Sequence, residues 1–142
     1  MATRTDPFRG YNFRVELGDT VASFRECGGL SANTDSVDYR EGTDKQLSNR
    51  KLPGLGKWAN ITLKRGYTAN HDLWNWHKNV LLGVSDRRDG AIVLTDEQHQ
   101  DVLRWEFENG WICKWEGPAM NATSNDVAIE SIEICHEGLK LV

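Results

Sequence analysis

Apolar and polar positions alternate strictly from Tyr11 to Leu17. Tyr11, Phe13, Val15 and Leu17 share one face and Asn12, Arg14 and Glu16 the other, the period of a half-buried strand. Gly18-Asp19 turns the chain, Val21 to Cys27 reads as the hairpin partner, and Gly28-Gly29 breaks it. Ser31 to Glu41 is a weaker strand with Val37 and Tyr39 on one side. Further on, Ala59, Ile61 and Leu63 oppose Asn60, Thr62 and Lys64 in another clean alternation.

Between these two strands lies an extended loop at about 42–57. Compact domains usually join strands with about two to six residues, and longer connections are disordered or functional. Leu47, Leu52, Pro53 and Leu55 among the charges make poor composition for a floppy linker. The segment is expected to be held from outside its own fold, by another copy of the chain.

The period then switches. Leu73, Trp76, His77, Val80 and Leu81 fall at three-and-four spacing, which predicts a helix over residues 71–82. Asn70 is its expected N-cap, Asp72 suits the first turn, and Gly83 stands where a C-terminal glycine belongs. Arg87 to Gly90 reads as a turn, followed by a strand from Ala91 to Thr95. After the polar turn Asp96 to Asp101, Leu103, Trp105 and Phe107 alternate with charged residues. Asn109-Gly110 is a strong two-residue hairpin signal, with Trp111, Cys113 and Trp115 on the returning strand and Gly117-Pro118 ending it. In the last strand, Val127 to His136, Val127 and Ile129 have one parity and Ile132 and Ile134 the other. That predicts a β-bulge near Glu130-Ser131, or else a strand covered on both faces.

Seven or eight short strands with one helix predict a mainly β fold: an antiparallel β-sandwich or barrel with a single flanking α-helix. At 142 residues the chain suits one domain spanning 1–142, and 39% apolar residues with six tryptophans suffice for its core. A mean hydropathy of -0.58 and the lack of any long apolar run give no reason to expect stable membrane insertion. MATRTDPFRG at the start lacks the apolar stretch of a secretory signal, so synthesis and folding in the cytoplasm are expected, with export only inside a larger particle.

A net charge of -4 argues against a basic nucleic-acid-binding face. Yet from Asp35 to Gly66 seven Lys/Arg stand against four Asp/Glu, so this segment is +3 and the remainder -7. A basic projection on an acidic body suits self-association.

Candidate chemistry is thin. Cys27, Cys113 and Cys135 lack paired spacing and read as reduced, partly buried small side chains. His71 and His77 do not share a helix face, and His136 points away from Cys135 in a strand, so no metal site is expected. Gly54-Leu55-Gly56-Lys57 lacks the first glycine, the Ser or Thr and the helix of a phosphate loop. Asp96, Glu97, Glu106 and Glu108 read as turn or solvated-face residues, and no serine sits in a nucleophile elbow. Trp105, Trp111 and Trp115 share parity with apolar neighbours and are expected in the core. Trp58 and Trp74 are less tied to one, and one of them is expected to cover a subunit interface, where tryptophan is enriched; a small-ligand or carbohydrate-binding β-barrel using exposed tryptophans is the alternative. A small hydrolase on a β scaffold lacks an assembled catalytic set. Neither an enzyme nor a cofactor is expected.

Several stretches together resemble a known family, the tail tube proteins of contractile phages and phage-tail-like contractile injection systems. They are DPFRGYNFRVEL (6–17), FRECGGL (24–30), YREG (39–42), RKLPGLGKWANITLKRG (50–66), LWNWHKNV (73–80) and KWEGPAMNATSNDVAIESIEICHEGL (114–139), in order along nearly the whole chain. The resemblance implies packed β-sheets with one flanking helix, in a homo-hexameric ring whose inner strands join into a continuous barrel. Rings would stack into a hollow tube inside a contractile sheath, with baseplate and terminator proteins at its ends and cargo protein or DNA in the lumen. It also implies inter-ring contacts through Lys45, Leu47, Arg50, Lys51, Leu52, Pro53, Leu55 and Lys57. If the strands flanking the loop line the bore, Ser36, Asp38, Arg40, Asn60, Thr62 and Lys64 are the lumen-facing set.

Overall fold

The structure, a computed structural model, describes residues 6–18, 20–43, 45, 50–123 and 125–142. Among them are ten strands and one helix: β1 (Phe13–Leu17), β2 (Thr20–Ala22), β3 (Glu26–Gly28), β4 (Ala32–Tyr39), β5 (Arg50–Trp58), β6 (Ile61–Gly66), α1 (Asp72–Leu81), β7 (Arg88–Thr95), β8 (Asp101–Glu116), β9 (Ile129–Cys135) and β10 (Gly138–Leu141). Every pairing is antiparallel. The expected mainly β architecture with one flanking helix is what forms.

Eight strands make a continuous sheet in the order β2-β1-β7-β8-β9-β6-β3, with β10 also on β8, while β4 and β5 form a sheet of their own. The long strand β8 links two layers. Its first half pairs with β7 and β10, and its second half with β9. Val15, Leu17, Ile92 and Phe107 from the first layer meet Ile61, Leu63, Ile112, Ile132 and Ile134 from the second, and Leu73 and Trp76 of α1 complete the core.

Asn109-Gly110 is therefore not a hairpin turn. Arg88 pairs with Gly110 and Gly90 with Phe107, so Glu108 and Asn109 oppose a single residue and form a bulge, with Asn109 at φ 52. Its amide donates to Asp89 Oδ1 at 2.9 Å, which holds the bend. The bulge also resets parity: Ile112 turns inward, while Trp111, like Trp105 earlier in the strand, is half-buried instead of filling the core; a second irregularity at Cys113 sets Trp115 opposite the buried Ile132, where it packs half-buried against the core. The fully buried tryptophan is Trp76.

The bulge expected near Glu130-Ser131 does not form. Strand β9 alternates regularly, with Glu130, Ile132 and Ile134 inward, and Val127 lies before it, exposed. The apparent change of parity arises because the inward position at 130 is a carboxylate. It accepts from Arg65 Nε at 2.7 Å and from Trp115 Nε1 at 2.8 Å. Arg65 in turn reaches Asp72 Oδ1 at 2.6 Å and Asn70 O at 3.2 Å, tying the start of α1 to the sheet. Asn70 is not the N-cap: His71 holds that position, and Asn70 Oδ1 accepts from the Asp72 amide one residue early. Gly83, at φ 79, follows the helix as expected.

Three further expectations shift. Val21 to Cys27 splits into β2 and β3 in different layers, with Phe24 buried between them. Arg88 to Gly90 belongs to β7, leaving only Arg87 outside, and the short β10 has no counterpart in the sequence reading.

Candidate functional site: a projecting two-stranded arm

The segment read as a loop is in large part a strand. β5 begins at Arg50 and runs antiparallel to β4, pairing Tyr39 with Arg50 at one end and Ala32 with Trp58 at the other. Among the described residues between them, Arg40 to Thr43 and Lys45 lie outside the ladder. Every residue of β4 and β5 is exposed. An isolated two-stranded hairpin is marginal in water, so this arm is built to be completed by something else.

At its root the arm continues the β3–β6 ladder through a bend. Ala59 N donates to Ser31 O at 3.1 Å, between the Gly28–Thr62 and Ala32–Trp58 pairs. The bend requires glycine at 29: φ is +88, and a Cβ there would sit 1.9 Å from Asn60 O. On the other side His136 clasps the bend. Its Nε2 lies 3.0 Å from Ala59 O, which can only accept, so this nitrogen carries the proton. The Trp58 ring lies 6.1 Å from the imidazole, and Asn60 Nδ2 donates to Cys113 Sγ at 3.7 Å.

Cross-strand partners share a face. Ser36 with Pro53 and Asp38 with Lys51 lie on one side, the latter joined by an ion pair, and Val37 with Leu52 and Tyr39 with Arg50 lie on the other. Asp35 faces two residues, Gly54 and Leu55, in a bulge where a Cβ on Gly54 would crowd Asp35 O at 3.0 Å. Leu55 is 76% exposed, and Val37, Tyr39 and Leu52 are between 42% and 50% exposed. The arm thus carries an apolar face, a mixed-charge face and a basic excess.

The expected contact residues Arg50, Lys51, Leu52, Pro53, Leu55 and Lys57 all stand on β5, and Lys45 is exposed near the tip. Leu47 lies outside the described residues. The expected lumen set divides between two elements: Ser36 and Asp38 on the arm, with Arg40 just past it, and Thr62 and Lys64 on the outer face of β6, with Asn60 in the bend. Lys51 and Asp38, expected on different surfaces, are bonded neighbours. The outer face of β6 continues across its neighbours through the pairs Glu26–Lys64, Lys64–Ser131, Thr62–Glu133 and Lys114–Glu133. Lys64–Glu26 at 4.0 Å and Lys114–Glu133 at 3.9 Å make it a polar surface of both signs. Sequence reasoning missed Glu26, Lys114, Ser131 and Glu133 here, and parity in β9 was the available signal.

Trp58 and Trp74 are exposed, and each lies against a neighbouring ring. Trp58 packs on His136, and Trp74 lies 4.8 Å from the Trp115 ring. Burial pushes the Cys27 thiol up to about 11. Cys113, far from Cys135 in sequence but next to it across β8 and β9, is pushed to about 12 by burial and by its hydrogen bond to the Cys135 thiol. Neither is a poised nucleophile. No helix among the described residues is long and apolar enough to cross a membrane.

Comparison with known proteins gives one consistent answer. Residues 9–140 match the family described as T4-like virus tail tube protein gp19. Among solved structures, a chain in the sheath-tube complex of an extracellular contractile injection system, PVC, in its extended state is 28% identical, with a TM-score of 0.87 over 96% of this chain and 91% of that one. A chain in the anti-feeding prophage cap, the AFP tube terminating cap, is 28% identical with a TM-score of 0.91, covering 100% and 95%. A third, in the PVC sheath/tube terminator in its extended state, is 27% identical with a TM-score of 0.89, covering 99% of each. No curated protein sequence matches. With a family match spanning almost its entire length and the same fold in assembled tubes, this chain belongs to the T4-like virus tail tube protein family.

Proposed function

We propose that six copies of this chain close into a ring and that rings stack through the arm into the rigid hollow tube of a contractile, phage-tail-like particle. As a tail tube protein the chain is a structural subunit and not an enzyme. The sheath around the tube drives it through a target envelope, baseplate and terminator proteins hold its ends, and cargo protein or DNA passes along the bore. Subunits are made and assembled in the cytoplasm and leave it inside the finished particle. The solved relatives in complexes with sheath, terminator and cap support the sheath and the terminator among those partners.

One observation carries the stacking role: all seventeen residues of the two strands are exposed, on a bend that only glycine can make. If each arm contributes about 1.4 kcal/mol, a single copy barely associates. Six arms in one ring act together, because the later contacts become intramolecular. Heterologous contacts that close give a ring, and a second axial contact gives a filament.

The wall of the bore is the outer face of β3, β6, β9 and the second half of β8, with Thr62, Lys64, Ser131 and Glu133 at its centre. Ser36, Asp38, Arg40 and Asn60 extend it along the arm. Its polar side chains of both signs favour passage without adhesion. Negative-stain microscopy of the purified chain tests the proposal: rings or tubes with a central hole are expected, and a monodisperse monomer at high concentration overturns it.

A further inference from the structure

The three cysteines fall into two settings. Cys27 of β3 packs against the core, opposite Leu63 of β6. Cys113 and Cys135 stand together instead, near the end of the β8–β9 ladder. Cys135 pairs with Trp111 on the outer face of the sheet, since the neighbouring pair, Ile112 with Ile134, is fully buried. Cys113 is the extra residue of the bulge between the Ile112–Ile134 and Lys114–Glu133 pairs. In a regular ladder it would face residue 133 and stand a diagonal step from 135. The bulge re-aims it. Its thiol donates to Glu133 O at 3.5 Å and meets the Cys135 thiol in a second hydrogen bond. Both residues are half-buried, within reach of a small solute.

We infer that Cys113 and Cys135 form a redox-closable pair: two thiols in a reducing compartment, and one disulfide once a small-molecule disulfide such as oxidised glutathione reaches them. One cysteine sulfur attacks the oxidant, forming a mixed disulfide and releasing one small thiol. The other cysteine sulfur then displaces the second small thiol. The two cysteine protons leave on the two released thiols, whose sulfurs have taken up the two electrons. Because the cysteine sulfurs already touch, they need only close to about 2 Å, and the second step is intramolecular. Burial, with the bond to Cys135, pushes the Cys113 thiol up to about 12. Its thiolate is therefore scarce at neutral pH, and closure is slow there and quickens as pH rises. A chain made in the cytoplasm and exported inside a particle, as proposed above, passes from the first condition to the second.

The place of the pair gives the bond its consequence. Asn60, in the bend below the arm, donates to Cys113 Sγ at 3.7 Å, and His136, next to Cys135, holds Ala59 O at 3.0 Å. Trp111–Cys135 is the last pair of the ladder, and ladder ends are where local opening begins. A disulfide here fastens β8 to β9 directly beneath the bend that aims the arm.

Thiol counting on the purified full chain tests this. After removal of reductant and incubation with oxidised glutathione at about pH 8.5, alkylation in denaturant and intact mass should show one free thiol in place of three. Peptide mapping should join Cys113 to Cys135 and leave Cys27 free. Closure should be roughly tenfold slower for each pH unit below that. Cys113→Ser and Cys135→Ser should each prevent it. Three thiols after prolonged exposure, glutathione that stays bound to the native chain, or a covalent dimer overturns the pair. Hydrogen exchange reads the link to the arm: the Ala59 amide, which donates to Ser31 O, should exchange several-fold more slowly in the oxidised chain. Unchanged exchange with the bond formed overturns the effect on the arm. Neither readout requires tubes, so both are separate from the outcome of microscopy.

Discussion

Arg65 and Glu130 face each other across β6 and β9 inside the fold, the guanidinium Nε 2.7 Å from the carboxylate and the two residues only 8% and 2% exposed. The pair does more than neutralise itself. Arg65 also holds Asp72 at the head of α1, and Glu130 also accepts from Trp115, so one buried network joins helix, β6, β8 and β9. Removing Glu130 leaves Arg65 with Asp72 alone and Trp115 Nε1 without its acceptor, and breaking such a buried pair typically costs about 3–5 kcal/mol. Glu130→Ala is therefore expected to lower the thermal midpoint by roughly 10 °C or more. The double variant Arg65→Met with Glu130→Leu should recover much of that loss. Calorimetry of all three proteins checks both statements, and a double variant as unstable as the single one contradicts the second.

Position 29 controls where the arm points. With φ at +88 and Asn60 O in the space a Cβ would need, Gly29→Ala must distort the bend. The two layers pack elsewhere, so the variant should fold, keep its single unfolding transition and lose tube formation. Light scattering reads the tubes and calorimetry reads the fold.

Arg50 and Lys51 point to opposite sides of the arm, which separates two charge reversals. Lys51→Glu places a carboxylate against Asp38, its partner within the hairpin, and should loosen the arm itself. Arg50→Glu lies beside Tyr39 and Leu52 on the apolar face and should weaken stacking by about tenfold, roughly 1.4 kcal/mol. Both keep the folded body. Stacking should also weaken between 0.05 and 0.5 M NaCl, in the manner of about a Debye length's shortening, if the basic excess contributes. Sedimentation of tubes across a salt series is the measurement.

Asp86 makes a pH-dependent clasp behind the helix. Arg88 donates to it at 3.1 and 3.2 Å and Asn79 at 3.1 Å, and the Arg88 guanidinium stacks 4.5 Å over Trp76. Arg88, with Asn79, holds the Asp86 carboxyl below its usual range. A depressed folded-state value means that stability from this group is complete above the unfolded value, about 3.9, and is lost as pH falls through the folded one. Asp86→Asn should cost about 1 kcal/mol at neutral pH. The two unfolding midpoints should converge once the pH falls below the folded-state value of Asp86.

Much of this fold is legible in the residues, and the departures have physical causes. β1, α1 and the buried positions of β6 follow from periodicity alone, because each packs a single face against the core. Strand β5 does not: RKLPGLGKW holds one proline and two glycines, poor strand formers, and has no buried face to impose a period. Only its pairing with β4 reveals it. Glu130 misled because inward polarity needs a partner on another strand, and Arg65, the matching charged residue at a core position of β6, lies far away in sequence. Asn109-Gly110 carries ordinary hairpin chemistry, yet a single left-handed residue serves a bulge as well as a turn. For the arm itself, charge and length marked the β5 half as unusual, whereas β4 read as an ordinary weak strand. Which of them share a face depends on the register and on the bulge at Gly54-Leu55.

The arm leaves the β3–β6 ladder at one end, which makes each molecule a vector. In the column proposed above, such vectors leave unlike termini, with bare arms at one and none at the other. Growth is then polar, and any device that starts or stops the column must recognise a different surface at each extremity.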